Sequence, residues 1–209
     1  MFAGSASSAS AGPIESIVAT TPSGINVLET QDTRQTCTAP QLVSAFAGLG
    51  DLRDYVLAPG GSFEEKELDG WQLERAKGDK GGSPLEVSSE DNKRSLNIPA
   101  GGSATSPAMC VDLNYPTMRL MTKAAKGQGR LRVQVVYPDS DNPEFHHTGD
   151  VSPAGEKDWA ASDDMPVFPE RGGAAYGMRR VALRFTSVAG NGPASEWRID
   201  DLYVDPNRR

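Results

Sequence analysis

The 209-residue chain is poor in the residues that build metal centres: it has two cysteines and two histidines. The cysteines, Cys37 and Cys110, lack C-x-x-C spacing, and His146-His147 are neighbours, so their side chains would point to opposite faces of a strand. A zinc ribbon or finger does not fit that inventory. Basic residues are also outnumbered, with 21 Lys and Arg against 28 Asp and Glu, for a net charge of -7. An acidic surface without a basic stripe disfavours a nucleic-acid partner. No apolar run reaches the length of a membrane span. Aromatic content is only 7%, low for a dedicated sugar platform. No G-x-S-x-G elbow is present, and Gly81-Gly82 and Gly101-Gly102 lack the strand-to-helix setting of a phosphate loop, so they read as hairpin connections. The first eleven residues are rich in small side chains and lack the basic and apolar stretches of a leader.

What the chain has in quantity is glycine (22) and proline (15), the punctuation of an all-β protein. Short alternating segments recur between these breaks. They are Trp71–Arg75, Leu85–Ser88, Ser95–Ile98, Ala104–Leu113, Thr117–Thr122, Leu131–Tyr137, Lys157–Trp159, Val181–Thr186 and Trp197–Val204. Period-two alternation over such lengths marks half-buried antiparallel strands. Residues 1–35 are rich in Ser, Thr, Ala and Gly without periodicity and read as an extended, partly disordered arm. Residues 36–54 form a strap, in which Leu42, Val43, Phe46 and Leu49 predict a short helix stopped by Gly50. Residues 55–209 make the sandwich. A Cys37–Cys110 disulfide would pin the arm to it, stabilising the fold by about 4.5 kcal/mol in the chain-entropy picture, and would imply an exported or cell-surface protein. Two separate thiols are the alternative.

Two segments carry a resemblance. Gly61-Ser62-Phe63-Glu64 with Gly70-Trp71, and the terminal Ile199-Asp200-Asp201-Leu202-Tyr203-Val204, resemble the ends of the galactose-binding-like jelly roll found in many carbohydrate-binding modules. The likeness spans roughly residues 55–206, and the chain also looks similar to uncharacterised secreted actinobacterial proteins. It implies an antiparallel jelly-roll β-sandwich whose first and last strands pair. A bulge at Asp200-Asp201 would turn Ile199, Leu202 and Val204 inward. It also implies a structural Ca²⁺ held by Glu64, Asp201 and Asp200, since a hard cation relieves the repulsion of converging carboxylates.

Trp71 and Trp197 read as core residues. Tyr137, Phe145, His146, Trp159 and Tyr176 are the candidate ligand-facing residues, on a concave face and in the irregular 138–180 loops. The expected function is a non-catalytic module that binds a glycan or cell-wall polysaccharide. A structural or assembly subunit that self-associates through its arm is the alternative, and a polysaccharide hydrolase or lyase a second one.

Overall fold

A computed structural model describes residues 41–85, 87, 92–111, 117–139, 143–153, 158–167, 179–189 and 195–205. The expectations for the N-terminal arm, Cys37 and Tyr176 lie outside these residues.

The alternating segments become β1 (Val56–Leu57), β2 (Gln72–Glu74), β3 (Lys77–Lys80), β4 (Arg94–Ile98), β5 (Ser103–Thr105), β6 (Met109–Val111) and β7 (Thr117–Lys126). They continue as β8 (Arg130–Val136), β9 (Phe145–Val151), β10 (Ala160–Ala161), β11 (Met165–Pro166), β12 (Arg179–Val188) and β13 (Glu196–Asp205). Every strand pairing among the described residues is antiparallel, and the strands form two sheets. The first runs β10-β7-β13-β4-β3, with β1 on β13 and β11 on β7; the second runs β2-β5-β12-β8-β9, with β6 on β12. From β4 onward the chain repeatedly crosses between the sheets, as a jelly roll requires. Gly101-Gly102 belongs to one such crossing, so it joins strands of different sheets rather than a hairpin.

The core lies between the sheets. Trp197, Ile199, Leu120, Met118, Leu183, Phe185, Val133 and Leu131 are fully or almost fully buried in it. Each such side chain contributes about 1.5–3 kcal/mol through burial. Trp71 joins them, its ring 5.0 Å from that of Phe63. The two ends of the sandwich meet as expected, Val56 pairing with Val204 and Leu57 with Tyr203. The register of β13 slips between Asp200 and Tyr203, and Asp201 takes a left-handed backbone (φ 48°). That extra residue lets Ile199, Leu202 and Val204 all reach the core.

A second cluster lies on the outer side of the first sheet. Phe46 and Tyr55, from the strap, pack edge-to-face with each other and with Tyr203, and Met121 completes the cluster. The expected helix in the strap is a single 3-10 turn, Ala47–Leu49, ended by Gly50 at φ 83°. Val43 is drawn out of helical geometry by a bridge to Tyr55, whose backbone exchanges hydrogen bonds with it at 2.8 and 2.9 Å. Leu85 and Val87 do not form the expected strand. A tight turn joins them, and both pack against the strap cluster. The segment from Ala104 is broken at Pro107, which has no N–H to donate. Ser106 keeps the contact with β12 by bonding Leu183 through both its backbone N–H and its hydroxyl. Asp158 and Trp159 precede a two-residue strand rather than forming one. The polar strands β3 and β9 had no alternation strong enough to be read in advance.

Candidate functional site

Register places one line of residues across the whole second sheet. Gln72 pairs with Thr105, Thr105 with Arg184, Arg184 with Gln134, and Gln134 with His147. Two residues along lies a second such line, Glu74, Ser103, Thr186, Arg132 and Asp150. Between them runs the line Leu73, Ala104, Phe185, Val133 and Gly149, of which Ala104, Phe185 and Val133 are core residues. Alternation therefore puts both polar lines on the outer face. Each crosses five strands, roughly 19 Å at the usual strand spacing.

The donors on this face are held in place. Arg184 Nη2 donates to Glu74 Oε2 and Ser103 Oγ, both at 2.9 Å, and its guanidinium lies 4.7 Å from the centre of the Phe145 ring. Asp150 gathers Arg130 at 3.0 Å, Arg132 at 3.5 Å and His147 at 3.1 Å. Burial acts against the charged form of Asp150, but the hydrogen bond to His147 and the nearby Arg130 and Arg132 charges still hold its carboxyl below the ordinary value. Such a surface of anchored guanidinium and carboxylate groups, with amides and hydroxyls between them, can exchange hydrogen bonds with a polyhydroxylated chain.

The sequence-predicted ligand residues divide. Phe145 is on this face, beneath Arg184. Its neighbour His146 turns to the other side and packs against Tyr137, ring centres 5.4 Å apart, while His147 is the histidine on the face. Tyr137 is corrected: it is a core residue, only 5% exposed, so its ring offers no platform. Trp159 is half-buried against the strap cluster on the opposite sheet, away from Phe145. Gln72, Thr105, Gln134, Arg132 and Arg184 were missed. Each is an ordinary polar position of an alternating strand, and nothing in one strand says which partners it will be aligned with.

At the far end of the first sheet, Asp200 and Asp201 are fully buried at the bulge. Asp200 Oδ2 accepts the Ser83 N–H at 2.8 Å, and its Oδ1 accepts the Asp201 N–H at 2.9 Å. Asn92 Nδ2 donates to Asp201 Oδ2 at 3.0 Å, while the buried Asn92 Oδ1 has no hydrogen-bond partner. Glu64 Oε1 accepts the N–H groups of Lys93 and Arg94, both at 2.9 Å. Burial, with the charges of Asp201 and Glu64 beside it, pushes Asp200 up to about 8. Among the described residues no three acidic, cysteine or histidine side chains are grouped closely enough to form a metal shell by themselves. Cys110 stands in β6 and is not a free thiol.

A cleft of about 310 Å³ opens where β9 of the second sheet approaches β10 and β11 of the first. Its floor includes Ala124, Val151, Met165 and Trp197, and its rim carries Asp150, Asp158 and Asp163.

No protein-family model matches this chain, and no curated protein sequence matches it. Among solved structures it is similar to the CBM22-1 xylan-binding domain of Paenibacillus barcinonensis Xyn10C, at 13% identity and a TM-score of 0.45, over 69% of this chain and 90% of that one. It is also similar to a family 11 carbohydrate-binding module from Clostridium thermocellum, solved with a mixed-linked tetrasaccharide, at 11% identity and 0.44, over 69% and 92%. A Stig cyclase from Fischerella aligns at 13% identity and 0.47, over 74% and 98%. Likeness at this distance carries no argument about this chain; its own topology shows the two-sheet antiparallel β-sandwich that the terminal segments implied.

Proposed function

We propose that this protein is a non-catalytic glycan-binding module, exported, that lays a polysaccharide chain across the outer face of its second sheet. The observation that carries this reading is the pair of polar lines crossing β2, β5, β12, β8 and β9, with Arg184 anchored over Phe145. A flat strip of pre-oriented donors and acceptors suits an extended, hydroxyl-rich polymer, because little side-chain freedom is lost on binding. The test is retention in gels containing soluble xylan, mixed-linked glucan or galactan. Wild type is expected to be slowed by at least one polymer, and the double variant Arg184→Ala, Gln134→Ala to run free while melting at nearly the wild-type temperature. Equal retention of the two proteins would remove this face from the function.

We also propose that a calcium ion occupies the bulge. Asp200, Asp201 and the Asn92 amide oxygen would hold it, without Glu64, whose Oε1 is taken by the Lys93 and Arg94 N–H groups, and it would supply charge compensation for two carboxylates that are fully buried. The all-oxygen donor set and the unpartnered Asn92 Oδ1 support a hard cation. Its role is structural, locking the end of β13 to the segment around Ser83 and Asn92.

A further inference from the structure

We propose that Arg130, Arg132 and His147, clustered around Asp150, bind the carboxylate of a uronic acid, so that the glycan on the second sheet is an acidic polysaccharide. This inference rests on the reading of that face given above and adds the charge of its ligand. The outer face carries Arg180 and Arg184 on β12 and Arg130 and Arg132 on β8. The first two are matched one to one, Arg184 with Glu74 at 2.9 Å and Arg180 with Asp139 at 3.0 Å. Arg130 and Arg132 instead share one carboxylate. Arg130 reaches Asp150 Oδ2 at 3.0 Å, whereas Arg132 Nε stays 3.5 Å from Oδ1 and makes no hydrogen bond. His147 Nε2 lies 3.1 Å from the same Oδ1. Two guanidinium charges against one carboxylate leave this end of the face positive, on a chain whose net charge is -7.

Depth decides which charge a ligand meets. The Asp150 side chain is 16% exposed, while those of Arg132, Arg130 and His147 are 40%, 51% and 54% exposed. The carboxylate is sunk among its cations, and the cations are what the surface presents. A guanidinium has five N–H donors, and one shared carboxylate occupies only part of those on Arg130 and Arg132. Its planar fork matches a second carboxylate with paired hydrogen bonds. Arg130 and Arg132 stand two residues apart on β8, roughly 7 Å along the strand, and His147 is on the adjacent β9. Arg132 belongs to one polar line and His147 to the other, so a sugar chain following either line brings a substituent to this cluster. A net charge of -7 elsewhere repels polyanions in general, which confines acid recognition to this spot.

The experiment is retention of the full chain in gels containing glucuronoxylan or polygalacturonate, each beside its carboxyl-reduced counterpart, which keeps the backbone and loses the charge. At least one acidic polymer is expected to bind roughly tenfold more tightly than its reduced form, the scale of one hydrogen bond to a charged group. For the wild type that preference should fade towards about 0.5 M salt, where the screening length is about 4 Å. It should also be lost in the double variant Arg130→Gln, Arg132→Gln, with cooperative melting as the check that the variant is folded. Equal, measurable retention by each acidic polymer and its reduced form would overturn the proposal and leave the glycan face standing. A preference that survives both arginine substitutions would overturn it as well, by placing acid recognition elsewhere. No retention by any of these polymers or by the neutral ones would remove the face, and this proposal with it.

Discussion

The guanidinium of Arg184 lies 4.7 Å from the centre of the Phe145 ring, and its Nη2 is fixed by Glu74 and Ser103. One neighbouring strand and two strands beyond the neighbours thus hold a single cation flat on the open sheet. A lysine would keep the charge but lose the planar fork and its stacking on the ring. Arg184→Lys is therefore expected to weaken polysaccharide retention nearly as much as Arg184→Ala. Full retention by the lysine variant in affinity gels would show that charge alone matters. Phe145→Leu should weaken retention less than either.

Calcium at the bulge predicts a melting temperature that depends on the ion. Adding millimolar Ca²⁺ to chelator-treated protein should raise it by several degrees, since a ligand at about 100 times its dissociation constant adds about 2.7 kcal/mol. Mg²⁺, which demands tighter octahedral geometry, should do less. The variant Asp200→Asn, Asp201→Asn should lose the response. Identical melting curves with calcium and with chelator would remove the ion from the bulge.

The strap is fastened by charge as well as by its aromatic cluster. Asp51 bonds Arg53 at 2.6 Å and Arg119 at 2.7 Å and accepts the Tyr55 hydroxyl at 2.5 Å, while Arg53 also reaches Asp164 and Asp205 at 2.8 Å. The hydrogen bonds from Arg53, then Tyr55, hold the Asp51 carboxyl well below its ordinary range, against the effect of its own burial. A depressed folded-state pKa contributes stability above the unfolded value near 4, lost as pH falls towards the folded one. Asp51→Asn should therefore cost roughly 1–3 kcal/mol at pH 7. The gap to wild type should narrow below about pH 4. Denaturant titrations at pH 7, 5 and 3 test this, and a constant gap would contradict it.

Gly61 belongs to the terminal pairing that defines the fold. A Cβ there would stand 2.7 Å from the Leu202 carbonyl oxygen and 2.9 Å from that of Ala58. Both are backbone atoms, held by the bonds from Leu202 N–H to Gly61 O and from Gly61 N–H to Ala58 O. Gly61→Ala should destabilise by roughly 1–3 kcal/mol, as overpacking does. A melting temperature equal to wild type would show that this corner can open without loss.

A Cys37–Cys110 disulfide predicts no reactive thiol in oxidised protein under denaturant and two after reduction. Cys37→Ser should then free one thiol and lower stability by up to about 4.5 kcal/mol in the chain-entropy model. One or two reactive thiols in the oxidised wild type would exclude the bond.

Much of the architecture was legible in local pattern. Alternation along Leu131–Val136 and Val181–Thr186 identified half-buried strands, because a side chain's face in a strand depends only on parity. The adjacent aspartates at 200 and 201, set between Ile199 and Leu202, signalled the bulge for the same reason: three apolar residues can turn inward only if one extra residue resets the count. Trp71 and Trp197 were readable as core from their place in or beside strands.

The proposed binding face was not legible, because it is made by register rather than by any segment. Gln72, Thr105, Arg184, Gln134 and His147 come from five strands, and only the pairing of those strands aligns them. Tertiary structure also decided between the two histidines. The register of β9 slips against β8 between Val133 and Gln134, so His147 and Asp150, three residues apart, both belong to the outer polar lines and meet at 3.1 Å. The strap went the same way. Helical periodicity in residues 42–49 yielded to the bridge between Val43 and Tyr55 and to burial of Phe46 against Tyr203. Local propensity over so few residues is weak, and tertiary burial is worth several times more.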